Sequence, residues 1–191
     1  MELGFLLDAS GSMKASFQDA KQFVQSVAGV FSICRTRSRV GVITFSKEAE
    51  YNIKLKDHSN VMSFNLAVDA IPLMGSVTRI DKALALAQKE IFTISNGARV
   101  DLPKILILIT NGKQTQHEDT KDPVTLADEL RKAGIIIIVV GFGTGINREE
   151  LSKIAGGTEG VSDMLFTSAS LTALHDTTFI KSVQDKACSG M

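Results

Sequence analysis

Short runs of consecutive aliphatic residues alternate along this chain with stretches in which apolar residues return every three or four positions. The runs fall at residues 3–8, 39–46, 104–109 and 135–142, each carrying at least two adjacent Leu, Ile, Val or Phe. A strand apolar on both faces is one buried on both faces, so these runs predict a parallel sheet covered above and below. Helical spacing appears in Phe17, Ala20, Phe23, Val24, Val27 and Val30, which predicts a helix over 16–33. Ala83, Leu84, Ala87 and Ile91 predict another over 80–94. Further helices are expected at 60–68, 123–133, 148–155 and 170–187. Residues 49–55 alternate apolar with polar, as an edge or antiparallel strand does, and 163–167 reads as a weak strand. Strands alternating with amphipathic helices give an α/β fold with a mostly parallel sheet and helices on both faces. At 191 residues the chain suffices for one full-sized domain, taken as 1–191.

Charge narrows the choice of partners. Lys plus Arg and Asp plus Glu are 21 each, so nothing electrostatic favours nucleic acid or an anionic membrane surface. The apolar run at 135–140 is too short to span a bilayer, so no membrane insertion is expected. No signal peptide is visible, and Met1-Glu2 runs almost directly into the first strand, as in a domain excised from a longer chain. The two cysteines, Cys34 and Cys188, lack zinc-like spacing, and no Asn-x-Ser/Thr sequon occurs.

The candidate chemistry lies in three loops. Asp8-Ala9-Ser10-Gly11-Ser12 follows the first apolar run, Gly75-Ser76-Val77-Thr78 precedes a helix, and Ile109-Thr110-Asn111-Gly112 ends another strand. In an open parallel sheet, ligands bind outside the carboxyl ends of the strands. The spacing Asp8-x-Ser10-x-Ser12 aims three oxygens to one side of a turn, with Gly11 supplying backbone freedom. One carboxylate with several hydroxyls suits Mg²⁺, and equally Ca²⁺ or Mn²⁺, while nothing soft is present for zinc. Few protein charges leave such a cation electrophilic, with a position open to a carboxylate from a partner. Enzyme signatures are missing: there is no HExxH and no GxSxG, and Gly141-Phe142-Gly143-Thr144-Gly145 reads as a turn leaving a buried strand. The chain is therefore expected not to be an enzyme.

Four segments in order resemble the von Willebrand factor type A domain, of the extracellular matrix type found in matrilins and collagen VI. They are Phe5-Leu6-Leu7-Asp8-Ala9-Ser10-Gly11-Ser12, Arg39-Val40-Gly41-Val42-Ile43-Thr44-Phe45-Ser46, Thr78 with Lys82-Ala83-Leu84, and Ile107-Leu108-Ile109-Thr110-Asn111-Gly112-Lys113. The resemblance implies a doubly wound domain whose six-stranded sheet has one antiparallel edge strand. It also implies a metal-ion-dependent adhesion site at Asp8, Ser10, Ser12, Thr78 and Asn111. The expected function is adhesion in a secreted protein of the extracellular matrix. The partner would be a matrix protein, such as a collagen or a matrix glycoprotein, that supplies an acidic side chain. Asn111 departs from the family pattern, which has aspartate there. This leaves Asp8 as the lone carboxylate, and a structural spacer with a weakened or empty site is the alternative.

Nearby residues carry plainer expectations. Ser46 is expected to make turn hydrogen bonds, Asp81 to complement the first turn of its helix, and Arg79 to form a surface salt bridge or a cation at the rim. His58 and His175 read as surface or packing residues, and His117 as a possible partner contact in the polar loop 112–122. The resemblance places the ends of the first and last helices side by side. Cys34 and Cys188 are thus expected to form a disulfide, against two free thiols or a bond from Cys188 to a cysteine upstream.

Overall fold

A computed structural model describes residues 1–31, 33, 37–158, 160, 162–169, 177, 180–183 and 185. The aliphatic runs become the inner strands β1 (Glu2–Asp8), β2 (Arg39–Phe45), β4 (Lys104–Thr110) and β5 (Ile135–Phe142), with β3 (Ala49–Ile53) and β6 (Leu165–Ser168) at the edges. The six-stranded sheet runs in the order β3-β2-β1-β4-β5-β6. Every neighbouring pair is parallel except β2 with β3. The alternating pattern at 49–55 thus marks the antiparallel edge, where one face meets water.

Side-chain alternation divides the core in two. Leu3, Phe5 and Leu7 of β1 and Ile105, Ile107 and Ile109 of β4 point into a layer with Phe23, Val24 and Val27 of helix α1 (Phe17–Val30) and Phe64 of α2 (Val61–Asp69). Leu6, Leu106, Leu108, Ile137 and Val139 point the other way. There they meet α3 (Ile80–Leu86), α4 (Pro123–Lys132) and α5 (Arg148–Ile154). Polar caps start three of these helices: Asn60 accepts from Ser63 N, Asp122 from Val124 N and Thr125 N, and Asn147 from Glu150 N.

The structure refines several boundaries. The helix expected over 80–94 is α-helical only to Leu86, widens into a π turn at Ala87–Ile91, and ends in a 3₁₀ turn at Ile94–Asn96. Carbonyls that a wide turn frees need other donors. The Tyr51 hydroxyl donates to Ile91 O at 3.2 Å, and Asn96 Nδ2 donates to Glu90 O at 3.0 Å. The first helix is three residues shorter at its carboxyl end than the apolar spacing suggests, closing at Val30. The terminal helix expected over 170–187 lies largely outside the described residues, although Ile180 and Val183 are described and buried in the α1 layer. Cys34, Cys188 and His175, with the disulfide pairing, also lie outside them. No helix among the described residues is long and apolar enough to cross a membrane.

After β1 the chain works outward through β2 and β3, then returns to lay β4 on the other side of β1. The strand order therefore reverses between β1 and β4, opening a crevice at their carboxyl ends. Asp8 ends β1 and Thr110 ends β4, so both reach that crevice.

Candidate metal centre

Asp8 is wholly buried. Its Oδ1 accepts from Ser10 N at 2.9 Å and its Oδ2 from the Thr110 hydroxyl at 2.6 Å. Both partners are neutral. Burial pushes the Asp8 carboxyl above its ordinary range, and the hydrogen bonds from Thr110 and Ser10 offset this only in part. The site therefore holds a buried acid and no protein cation against it.

Hydroxyls extend outward from this acid. Thr78 Oγ1 donates to Ser10 Oγ at 3.1 Å, and the Ser10 and Ser12 hydroxyls lie 3.0 Å apart. Ser12 Oγ donates to Asn111 Oδ1 at 2.7 Å, and Asn111 Nδ2 donates back to Ser12 O at 3.0 Å. All five residues singled out in the sequence thus meet in one hydrogen-bonded set. Asp8, Ser10 and Thr78 are buried, Asn111 is half-buried and Ser12 is exposed, so the set opens to solvent on the Ser12 side.

Main-chain bonds staple the loops together. Gly11 N donates to Ser76 O at 2.7 Å, and Gly75 N donates to Ala9 O at 2.9 Å. Gly11 is needed for this close approach and not for an unusual dihedral. Its φ is not positive, but a Cβ there would stand 3.2 Å from Gly75 O. Gly112 serves similarly, since a Cβ would come within 3.1 Å of Thr78 Oγ1.

Further polar contacts hold Thr78 and the loop after β4. Arg79, expected at the surface, is 3% exposed and forks onto Asp81, with Nε to Oδ1 and Nη2 to Oδ2 both at 2.8 Å. Its remaining Nη1 donates to Asp119 Oδ1 at 2.9 Å. Arg79 is thus not a free cation at the rim: the fork turns its guanidinium inward, and the ion pair it makes with the exposed Asp119 starts from a buried side chain. Asp81 does more than complement a helix end: it also accepts from Gln114 Nε2 at 2.7 Å and Lys121 N at 3.1 Å. Thr115 N donates to Thr78 O at 2.8 Å. Ser46 makes the expected turn bonds, donating to Val77 O and accepting from Ser76 N, each at 3.0 Å. His117 is exposed in the loop, while His58 packs its ring edge-on against Phe64.

Thr110 and Asp119 matter here beyond what spacing alone assigned. A hydroxyl closing an otherwise aliphatic strand was the available signal for Thr110. Asp119 gave none, because its partner is forty residues away. The donor set, one carboxylate with neutral oxygens, fits a hard divalent cation. No cluster of three or more His, Cys, Asp or Glu among the described residues offers a softer alternative.

A family model described as the von Willebrand factor type A domain matches residues 2–179. The chain is 33% identical over 156 residues to the collagen alpha-4(VI) chain of Mus musculus, covering 81% of this chain and 6% of that one. It is 26% identical over 192 residues to matrilin-1 of Gallus gallus, covering 98% of this chain and 36% of that one. It spans only a minor part of each of these relatives. Among solved structures, proximal thread matrix protein 1 from the mussel byssus, with a zinc-occupied MIDAS motif, aligns with a TM-score of 0.85 and 28% identity. That alignment covers 98% of this chain and 45% of the mussel chain.

Proposed function

This chain belongs to the von Willebrand factor type A domain family, and from that premise we propose that it is an interaction module of a secreted, extracellular matrix protein. In this reading Asp8, Ser10, Ser12, Thr78 and Asn111 hold a divalent cation, and a glutamate or aspartate of a matrix partner, a collagen or matrix glycoprotein, completes its shell. The observation that carries the reading is the buried Asp8 carboxylate, faced only by neutral donors and continued to solvent by hydroxyl oxygens. When bound, the cation supplies a Lewis-acidic position for a carboxylate oxygen. Thr110 and Ser10 orient Asp8, and the Arg79–Asp81 pair fixes the loop that carries Thr78. Mg²⁺ is the cation proposed, and Ca²⁺ and Mn²⁺ suit the same donors. Zn²⁺ belongs in the comparison because the mussel protein holds it.

Solid-phase binding to collagens and matrix glycoproteins tests the reading. Binding is expected to vanish with chelator and return with Mg²⁺. A partner that stays bound in chelator uses another surface.

A second reading, the structural spacer, draws on Asn111. Its amide closes a two-way bridge with Ser12 and contributes no charge. Asn111→Asp separates the two. Two unit charges about 4 Å apart interact by about 4 kcal/mol at a surface-like dielectric, most of it cancelled by desolvation. Calorimetry is therefore expected to show Mg²⁺ affinity rising about tenfold, with a cation-free domain made less stable by a second carboxylate near Asp8. A wild-type chain that takes up no Mg²⁺, with binding appearing only in Asn111→Asp, supports the spacer.

A further inference from the structure

The dipeptide Asn-Gly occurs twice in this chain, at 96–97 and at 111–112. It is prone to self-modification, because glycine has no Cβ to keep its nitrogen from the preceding side-chain carbonyl. At the second site Gly112 N attacks Asn111 Cγ. An N–Cγ bond forms, the Cγ–Nδ2 bond breaks, and the Gly112 proton leaves with the amine as ammonia. Water then opens the succinimide, so the sum is amide plus water giving carboxylate plus ammonium.

The fold treats the two sites differently. Asn96 is 4% exposed, and its Nδ2 donates to Glu90 O at 3.0 Å and to Glu90 Oε2 at 2.8 Å. Lys56 closes over the next residue: a Cβ on Gly97 would stand 2.7 Å from Lys56 Cβ, and Asn96 O accepts from Lys56 N at 3.2 Å. Burial keeps water from that amide, and a new carboxylate there would face the one on Glu90. Asn111 is instead half-buried and lines a groove of about 420 Å³ that opens to solvent beside Ser12. The exposed Ser12 hydroxyl donates to Asn111 Oδ1 at 2.7 Å, the oxygen that gathers negative charge when Cγ is attacked. Gly112 N donates to the Thr110 hydroxyl at 3.1 Å, so its proton has an acceptor in place.

We infer that Asn111 is a self-modifying residue, hydrolysed in the folded chain through a succinimide with Gly112, and that the carboxylate formed strengthens the cation site. Crowding selects the product. Opening the ring at its main-chain carbonyl leaves isoaspartate, which adds a methylene to the backbone. Opening it at Cγ leaves aspartate and the backbone path unchanged. The turn lacks room for a longer path: a Cβ on Gly112 would stand 3.1 Å from Thr78 Oγ1, and one on Gly145 would stand 2.8 Å from Asn111 O. Aspartate is therefore the product in the fold, whereas an unfolded chain yields mainly isoaspartate. The gain in cation affinity rests on the cation-site reading, and the modification does not. The adhesion and spacer readings then describe two ages of one chain.

Two measurements test it. The first ages the folded chain in chelator and follows the tryptic peptides 90–99 and 105–113 by mass spectrometry. Peptide 105–113 is expected to gain the mass of an amide turned carboxyl at least about tenfold faster than 90–99, which converts only through local opening. In urea the two are expected to convert at comparable rates. Fragmentation is expected to show aspartate in the folded chain and mainly isoaspartate in urea. No gain at 105–113, or equal gains in the folded chain, overturns the assignment, and isoaspartate prevailing in the fold overturns the selection by crowding. The second separates converted from fresh chain by ion exchange and titrates each with Mg²⁺ in a calorimeter. The converted chain is expected to bind about tenfold tighter, matching Asn111→Asp. Asn111→Gln, whose longer side chain closes a ring slowly, is expected to age without any such gain. Conversion with unchanged affinity would mean that the cation reading of residue 111 had failed and the modification had not.

Discussion

Replacing Asp8 with asparagine is expected to abolish Mg²⁺ binding and yet to stabilise the cation-free domain at neutral pH. Asp8 is the lone carboxylate among the five site residues, and removing the charged partner of an ion costs about 2–5 kcal/mol, so affinity should fall at least about thirtyfold. Stability moves the other way because of burial. The folded-state pKa of Asp8 is raised above its unfolded value. Its contribution to stability is thus complete below the unfolded pKa and is lost as pH rises through the folded one. At neutral pH the wild-type domain without cation holds an uncompensated buried charge, which asparagine removes. The new amide fits: its oxygen accepts from Ser10 N, and its NH₂ donates to the Thr110 hydroxyl, which turns toward Gly112 O at 3.5 Å. Urea unfolding from acid to neutral pH, with and without Mg²⁺, reads both effects. Wild type should gain about 2.7 kcal/mol at a hundredfold excess of cation over Kd, and the variant nothing. A variant that is less stable than wild type throughout the pH range without cation, or still stabilised by Mg²⁺, would refute this account of Asp8.

The largest loss of stability is expected from Arg79→Met. It strands Asp81, a carboxylate 2% exposed, with only the Gln114 amide and Lys121 N as partners. Breaking one side of a buried pair costs about 3–5 kcal/mol, much of a domain's total stability. Exchanging both partners, as Arg79→Met with Asp81→Leu, should cost clearly less than the single change, because no charge is left unpaired. The pH dependence carries a distinct sign. Burial pushes the Asp81 carboxyl up, but the Arg79 fork, the Gln114 amide and Lys121 N together hold it below its ordinary value. This pair's stabilisation is therefore present above the unfolded pKa and is lost as pH falls through the folded one. Without Arg79 burial prevails, and protonating Asp81 relieves the variant. The gap between variant and wild type should accordingly narrow from neutral pH toward about pH 4, near the unfolded carboxyl value. A gap that is constant with pH would mean that Arg79 acts by packing alone.

The oxygens that meet at the sheet edge were legible because they sit in short motifs at the ends of readable strands. Asp8, Ser10 and Ser12 follow an aliphatic run, and Asn111 follows another, so the parallel topology alone brings them to one edge. Arg79 was misread for the same local reason. A charged residue before a helix looks exposed, and although its fork partner Asp81 is two residues away, nothing local announces that the loop carrying Gln114 and Asp119 will fold over the pair. The π turn at Ala87–Ile91 was hidden as well: an i→i+5 turn and an α-helix differ little in apolar spacing over five residues, and the Tyr51 hydroxyl that caps it comes from another element.

What the sequence determined by itself was the alternation of buried strands with amphipathic helices, the parallel sheet and its antiparallel edge, and which oxygen-bearing side chains stand at the strand ends. These follow from periodicity, which is written in neighbouring residues. Only the tertiary structure decided that Asp8 is buried against neutral partners, that Gly11 serves a close approach, and that Arg79 turns inward. Each of these depends on which groups lie within about 3–4 Å across elements far apart in the chain. Hydrogen bonds and charges act over such distances in space, and local sequence spacing does not encode them.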